Sequence, residues 1–144
     1  MSSDNSSGVT APWHLWLIAT LLLAWNGLAV FDYVATVLRF EPYLLNFTDE
    51  ALAYYYAAPL WMFAMWGIGS WGGFITAILL YMRNKLAAPV FALSLVCSVV
   101  AVAYAIVNPP PGGASNNLSA IVIILIAALL LVYVIRLKRQ GVLY

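Results

Sequence analysis

Four polar side chains, an amide, a carboxylate, a phenol and a hydroxyl, occur within one long apolar stretch near the start of this chain. They are Asn26, Asp32, Tyr33 and Thr36, with Trp25 beside them. In a helix of about 3.6 residues per turn, these positions share roughly one third of the circumference. A carboxylate facing lipid at the bilayer centre would cost roughly 2.5–3.5 kcal/mol. We therefore expect the stripe to face the bundle interior or a water-filled crevice.

Two interpretations of this polar stripe remain open. In the functional one, Asn26, Asp32 and Tyr33, together with Thr36 and Trp25, line a ligand site open to the outer face. Ionisable groups inside a membrane are candidates for such sites. In the structural one, the same side chains form interhelical hydrogen bonds worth about 1 kcal/mol or less each. The stem of Arg39 is long enough to reach back and pair loosely with Asp32.

The composition indicates whether this protein is surrounded by water or by lipid. Apolar residues make up 65% of the 144 residues, and charged residues only 8%. Soluble domains average about 45–50% and about 25%, so a water-solvated surface cannot be built, and the lipid bilayer is the predicted surrounding. The net charge of +1 supplies no basic patch that would neutralise the phosphates of a nucleic acid.

The residues that usually carry catalysis or bind metals are scarce. Cys97 is the only cysteine and His14 the only histidine. A catalytic triad or a Cys/His metal site cannot be assembled from them, and a haem in a helical bundle normally needs two axial ligands. We expect a protein that is not an enzyme, with no metal site and with no cofactor required by its sequence.

The hydropathy pattern predicts an all-α, polytopic membrane protein. A span needs about 20 apolar residues, and four stretches qualify: about 12–38, 58–82, 88–107 and 118–135. Residues 1–11 are predicted to be a disordered tail, 12–139 the transmembrane domain and 140–144 a second tail. Between the first two spans, Thr48 followed by two acidic residues predicts the start of a short interfacial helix.

Small residues follow one face of each of the two middle helices. They are Gly69, Gly72 and Gly73 in the second helix, and Ser94 and Ser98 in the third. Small side chains allow the backbones of neighbouring helices to approach closely. The stripes exceed what one four-helix monomer needs, which predicts a membrane-protein partner or self-association.

Basic residues predict the orientation. Arg83 and Lys85 follow the second span, and three more basic residues follow the fourth, so five of the six lie on one side and only Arg39 on the other. Short loops rich in Lys and Arg face the cytoplasm. Both termini are therefore expected to be cytoplasmic.

Several sequence blocks resemble a known family. They are Trp25-Asn26-Gly27, Phe31-Asp32-Tyr33, Pro59-x-Trp61, Trp66-x-x-Gly69-x-Trp71-Gly72 and Pro89-x-Phe91-Ala92-x-Ser94-Leu95. Together they are similar to small four-helix inner-membrane proteins of proteobacteria, often loosely labelled "sugar transporter". The resemblance covers about residues 13–105. It implies the fold and a location in the bacterial inner membrane, and it brings no catalytic or binding residues.

Three functions are compatible with these observations. The first is an accessory or structural subunit in a larger or homo-oligomeric membrane assembly. The second is a small oligomeric transporter or binding protein for a sugar-like solute, with Asp32 in the site. The third is a protein that contacts lipid, quinone or pigment through its aromatic outer segment.

Overall fold

The computed structural model describes residues 9–109, 111 and 117–144, and it is helical throughout these ranges apart from turns and short connections. Its elements are α1 (Trp13–Val37), α2 (Glu41–Leu44), α3 (Asp49–Ala57), α4 (Leu60–Tyr81), α5 (Ala87–Val107) and α6 (Asn117–Arg139). The helices α1, α4, α5 and α6 are long and apolar enough to cross a bilayer. The predicted all-α fold with four spans is confirmed. Most of the predicted N-terminal tail and of the loop before α6 lies outside the described residues.

The connection between the first two spans contains two short helices, where the sequence predicts one. The helix predicted at Thr48 is α3, and the Thr48 hydroxyl caps it by accepting a hydrogen bond from the Ala51 amide at 3.2 Å. The additional helix, α2, has Pro42 in its first turn, where a missing amide hydrogen costs nothing. Pro59 then stands at the N-cap of α4 and opens that helix without kinking it.

The fourth span differs most from its predicted bounds, because α6 continues through Arg136, Lys138 and Arg139. Lys and Arg are good helix formers, and their charge is favourable near the negative C-terminal end of a helix dipole. The basic residues therefore belong to the last turn of the helix.

The four spans form an open arrangement in which α4 lies between α1 and α5, and α6 packs against α5. A buried hydrophobic cluster joins all four helices at one end of the molecule. It contains Leu15, Ala19, Leu22, Ala77, Leu80, Ala87, Ala88, Phe91, Val134, Leu137, Val142 and Leu143. Along the rest of its length, α6 presents long apolar side chains outward.

We call the end that carries Arg83, Lys85, Arg136, Lys138 and Arg139 the basic end, and the opposite one, with Glu41, Asp49 and Glu50, the acidic end. Arg83 joins three segments at the basic end. Its Nε donates to the Val142 carbonyl at 3.0 Å and its Nη2 to the Val9 carbonyl at 2.6 Å. The segments before α1 and after α6 therefore meet at the turn between α4 and α5.

Residues 140–144, which the sequence leaves as a tail, fold back onto the bundle. Val142 and Leu143 are only 2% and 3% exposed. The amide of Tyr144 donates to the Arg83 carbonyl at 2.8 Å, and the amide of Lys85 donates to the Tyr144 carbonyl at 3.2 Å. This segment closes the basic end of the core.

Candidate functional site

Two residues of the polar stripe pack against glycines of α4. A β-carbon at Gly73 would lie 2.0 Å from Asn26 Oδ1, and one at Gly67 would lie 2.7 Å from Tyr33 Cζ. Asn26 Nδ2 also donates to the Leu22 carbonyl at 2.8 Å. Asn26 and Tyr33 therefore occupy space that only glycine leaves open, which is a helix-packing role.

The serines of α5 meet the same helix from the other side. Ser94 Oγ donates to the Gly69 carbonyl at 2.6 Å. β-Carbons at Gly72 and Gly69 would lie 2.8 Å from Ser94 Cβ and 2.6 Å from Ser98 Oγ, respectively. The Gly69-x-x-x-Gly73 pair thus contacts two different helices of its own chain, Gly69 facing α5 and Gly73 facing α1.

Asp32 points toward the short helices at the acidic end. Tyr43 Oη donates to Asp32 Oδ1 at 2.6 Å. The expected pairing with Arg39 is absent, since the Arg39 guanidinium lies 4.4 Å from the centre of the Tyr56 ring. The reason is the backbone at Arg39, whose φ of 53° reverses the chain after α1. Tyr56 Oη in turn donates to the backbone carbonyl of Thr36 at 3.1 Å.

A chain of aromatic rings links α1, the short helices and α4 around Asp32. Successive ring centres are 5.3 Å (Phe31–Tyr43), 5.4 Å (Tyr43–Phe47), 6.3 Å (Phe47–Tyr55), 6.3 Å (Tyr55–Trp66) and 5.2 Å (Trp66–Tyr33) apart. Aromatic pairs at 4.5–7 Å contribute about 0.5–1.5 kcal/mol each beyond their burial. This aromatic chain holds α2 and α3 against the transmembrane helices.

Burial and the nearby carboxylate change the acidity of two of these phenols. The pKa of Tyr43 is raised to about 12, by desolvation first and then by its hydrogen bond to Asp32. The pKa of Tyr55 is also raised, by burial first and then by the charge of Asp32. Both phenols therefore keep their protons to a higher pH than a free tyrosine, and Tyr43 uses its proton in the hydrogen bond to Asp32.

An open cleft of about 480 Å³ lies between α1 and α6, and we call it the α1–α6 cleft. Its walls are apolar, and its polar groups come from Asn26, Ser94 and Ser98. The other lining residues are Ile18, Leu21, Leu22, Trp25, Gly69, Phe91, Leu95, Ile123, Ile124, Ile126, Ala127 and Leu130. Nearer the basic end, a 2.6 Å hydrogen bond between His14 Nδ1 and Tyr133 Oη joins α1 to α6.

The five residues of the polar stripe do not all line this cleft. Trp25 and Asn26 line the cleft, whereas Asp32, Tyr33 and Thr36 do not. Trp25 is 57% exposed at the rim of the cleft, which differs from the expectation that the whole stripe faces the interior. The helical periodicity groups residues by their angle around the helix axis alone. The neighbours of α1 change along its length, from α6 near His14 to the short helices near Asp32.

Sequence reasoning missed three residues with defined roles. His14 and Tyr133 join α1 to α6, and Arg83 joins the three segments at the basic end. The only signal was the position of His14 and Arg83 at predicted helix ends. Trp66 of α4 contacts the rings of Tyr33 in α1 and Tyr55 in α3 as well as that of Phe63 in its own helix.

Among the described residues no group of three or more His, Cys, Asp or Glu side chains is placed to hold a metal ion. Comparison of the chain with protein-family models, with curated proteins and with solved structures finds no match. The resemblance to the proteobacterial inner-membrane family therefore stays a prediction from the sequence.

Proposed function

We propose that this chain is a non-enzymatic integral membrane protein that holds a lipid-soluble molecule in the α1–α6 cleft. The observation that carries the proposal is the cleft itself, whose volume of about 480 Å³ falls within the roughly 300–1,000 Å³ of small-ligand pockets. Its apolar walls match an acyl, isoprenoid or aromatic body dissolved in the bilayer.

The size of the cleft favours a small molecule over another helix. A transmembrane helix is about 10 Å wide and about 30 Å long, which corresponds to roughly 2,000 Å³. The cleft offers about 480 Å³, enough for one ring system or part of one chain. A second protein segment would cover the opening without filling it.

The polar groups of the cleft favour a ligand with a hydrogen-bond acceptor. Ser94 already donates to a backbone carbonyl, and Asn26 uses one of its two amide hydrogens in the same way. The second amide hydrogen of Asn26 and the hydroxyl of Ser98 are available within the cleft. A carbonyl group, as in a quinone or a lipid ester, would satisfy donors that find no water at this depth.

The test uses a substitution that fills the cleft and a matched control on the same helix. Ala127 lines the cleft, whereas its neighbour Ala128 does not. The protein is purified in mild detergent, and an organic extract is analysed by mass spectrometry. We expect one lipid-soluble carbonyl compound to co-purify with wild type and with Ala128→Trp in a nearly equimolar amount. The amount that co-purifies with Ala127→Trp should be at least 5-fold lower. Equal recovery from all three proteins, or no such compound from wild type, would reject the proposal.

An accessory role in a larger or homo-oligomeric assembly is the second candidate. It is favoured by the outer surface of α6, where Leu125 and Leu129 are more than half exposed. The stripes of small residues no longer require a partner, because Gly69, Gly72 and Gly73 all meet side chains of their own chain. Crosslinking in native membranes tests this role, and a strictly monomeric particle would oppose it.

A solute transporter with Asp32 in its site has less support. Asp32 accepts a hydrogen bond from Tyr43 and does not line the cleft, so a ligand would have to displace an existing contact. We also propose that the protein lies in the bacterial inner membrane with its basic end in the cytoplasm. The side of the membrane follows from the charge pattern.

A further inference from the structure

A second groove lies at the basic end, between α5 and α6, away from the α1–α6 cleft. It has a volume of about 520 Å³ and is open to the surroundings. Two cationic residues, Lys138 and Arg139, stand on one side. The remaining lining residues are small or apolar: Ala88, Pro89, Ala92 and Ile135.

Among the described residues, no acidic side chain lies near the charges of this groove. In the described part of the chain, the acidic residues are Asp32, Glu41, Asp49 and Glu50, and all of them belong to the half of the molecule near the acidic end. Arg83, by contrast, donates to two backbone carbonyls. Lys138 and Arg139 are exposed and add two positive charges that no acidic side chain of the described residues balances, which favours an external anion.

We propose that this groove binds an anionic phospholipid, with its phosphate on Lys138 and Arg139 and the start of an acyl chain against Ala92 and Ile135. Basic pockets between transmembrane helices at the membrane surface suit such headgroups. Arginine and lysine donate charge-assisted hydrogen bonds to phosphate oxygens. The alanines of α5 leave the space beside them that an acyl chain requires. The site is independent of the proposed cleft function, so either can fail alone.

The experiment measures lipid binding to the full-length protein in detergent by native mass spectrometry. Phosphatidylglycerol is the anionic probe, and phosphatidylcholine is the probe without net charge. Lys138→Gln/Arg139→Gln removes both charges of the groove. Lys85→Gln/Arg136→Gln is the matched control, since it removes two exposed charges from the same end that do not line the groove.

We expect phosphatidylglycerol to bind wild type more tightly than phosphatidylcholine does. One cation near an anionic surface is worth about 5-fold in affinity, so the groove variant should lose about 25-fold, and the control less than 3-fold. Equal losses in both variants would show diffuse attraction and overturn the site, as would no loss in either.

Two further measurements identify the occupant. Ala92→Phe narrows the groove while keeping both charges, and it should weaken phosphatidylglycerol binding at least 5-fold with an unchanged unfolding temperature. Unchanged binding to this variant would overturn the acyl-chain contact. Inorganic phosphate should not compete at concentrations similar to those of the lipid. If inorganic phosphate displaced phosphatidylglycerol at similar concentrations, the groove would be a site for free phosphate, and the lipid proposal would be overturned.

Discussion

Asn26 of α1 lies so close to Gly73 of α4 that a β-carbon at position 73 would stand 2.0 Å from the Asn26 side-chain oxygen. Gly73→Ala must therefore push α1 away from α4 or expel the amide from its place. Overpacking of this kind costs about 1–3 kcal/mol. We expect a lower free energy of unfolding, measured in detergent micelles by thermal or denaturant unfolding.

The neighbouring glycine of α1 provides the control for this prediction. A β-carbon at Gly27 would lie 3.7 Å from Phe74 Cε2, an ordinary contact. Gly27→Ala should leave stability unchanged or raise it slightly, because alanine is the better helix former. Equal destabilisation by both substitutions would contradict a specific role for the Asn26–Gly73 contact.

The hydrogen bond from Tyr43 to Asp32 predicts a dependence of stability on alkaline pH. The pKa of Tyr43 is raised from 10.0 to about 12, so the folded protein holds this proton more tightly than the unfolded chain does. The stabilisation is complete below pH 10.0 and is lost as the pH rises toward about 12. Between these two pH values, the free energy of unfolding should fall less steeply with rising pH for Tyr43→Phe than for wild type.

A second variant separates the causes of this shift. Asp32→Asn removes the charge but leaves the burial, which is the largest single cause. Titration of tyrosinate absorbance should then place the Tyr43 pKa below that in wild type but still above its ordinary value. The assignment of the alkaline pH dependence to Tyr43 would fail if the free energy of unfolding fell with the same slope against pH in Tyr43→Phe and in wild type.

The hydrogen bond between His14 and Tyr133 predicts energetic coupling between α1 and α6. A hydrogen bond of this kind contributes about 0.5–1.5 kcal/mol. A double-mutant cycle with His14→Ala and Tyr133→Phe should show a coupling of that size in the free energy of unfolding. Additive effects would mean that this contact does not couple α1 to α6.

Arg83 and Arg39 share one unusual backbone conformation but differ in their contacts. Both have φ of 53°, a left-handed region that costs most residues about 1–2 kcal/mol and glycine little. Arg39→Gly loses one ring contact and should remain within about 1 kcal/mol of wild type. Arg83→Gly loses two hydrogen bonds to carbonyls and should destabilise by about 2 kcal/mol.

Limited digestion provides a second measurement for the same pair. Residues 142–144 are held by the Arg83 side chain and by backbone pairing. Carboxypeptidase should release them faster from Arg83→Gly than from wild type or Arg39→Gly. Equal rates in all three proteins would show that Arg83 does not fasten this segment.

Much of the fold could be predicted from the sequence, whereas the candidate site could not. The observed spans begin and end within a few residues of the predicted ones, and Thr48 caps α3 as expected. These features depend on neighbours in the chain. The pairing of Asn26 with Gly73, the cleft and the groove depend on contacts between residues about fifty to a hundred positions apart, which no local pattern encodes.

The sequence by itself determined that this protein has four apolar spans, because lipid offers backbone groups no partner and each span must satisfy its own hydrogen bonds as a helix. It also determined which end carries the positive charge. Only the tertiary structure decided what each face meets. In the packed bundle, Asn26 and Tyr33 lie against glycines of α4. The chain reverses at Arg39, and Asp32 accepts a hydrogen bond from Tyr43 instead of pairing with Arg39. The separation of α6 from α1 beyond His14 and Tyr133 is what creates the cleft.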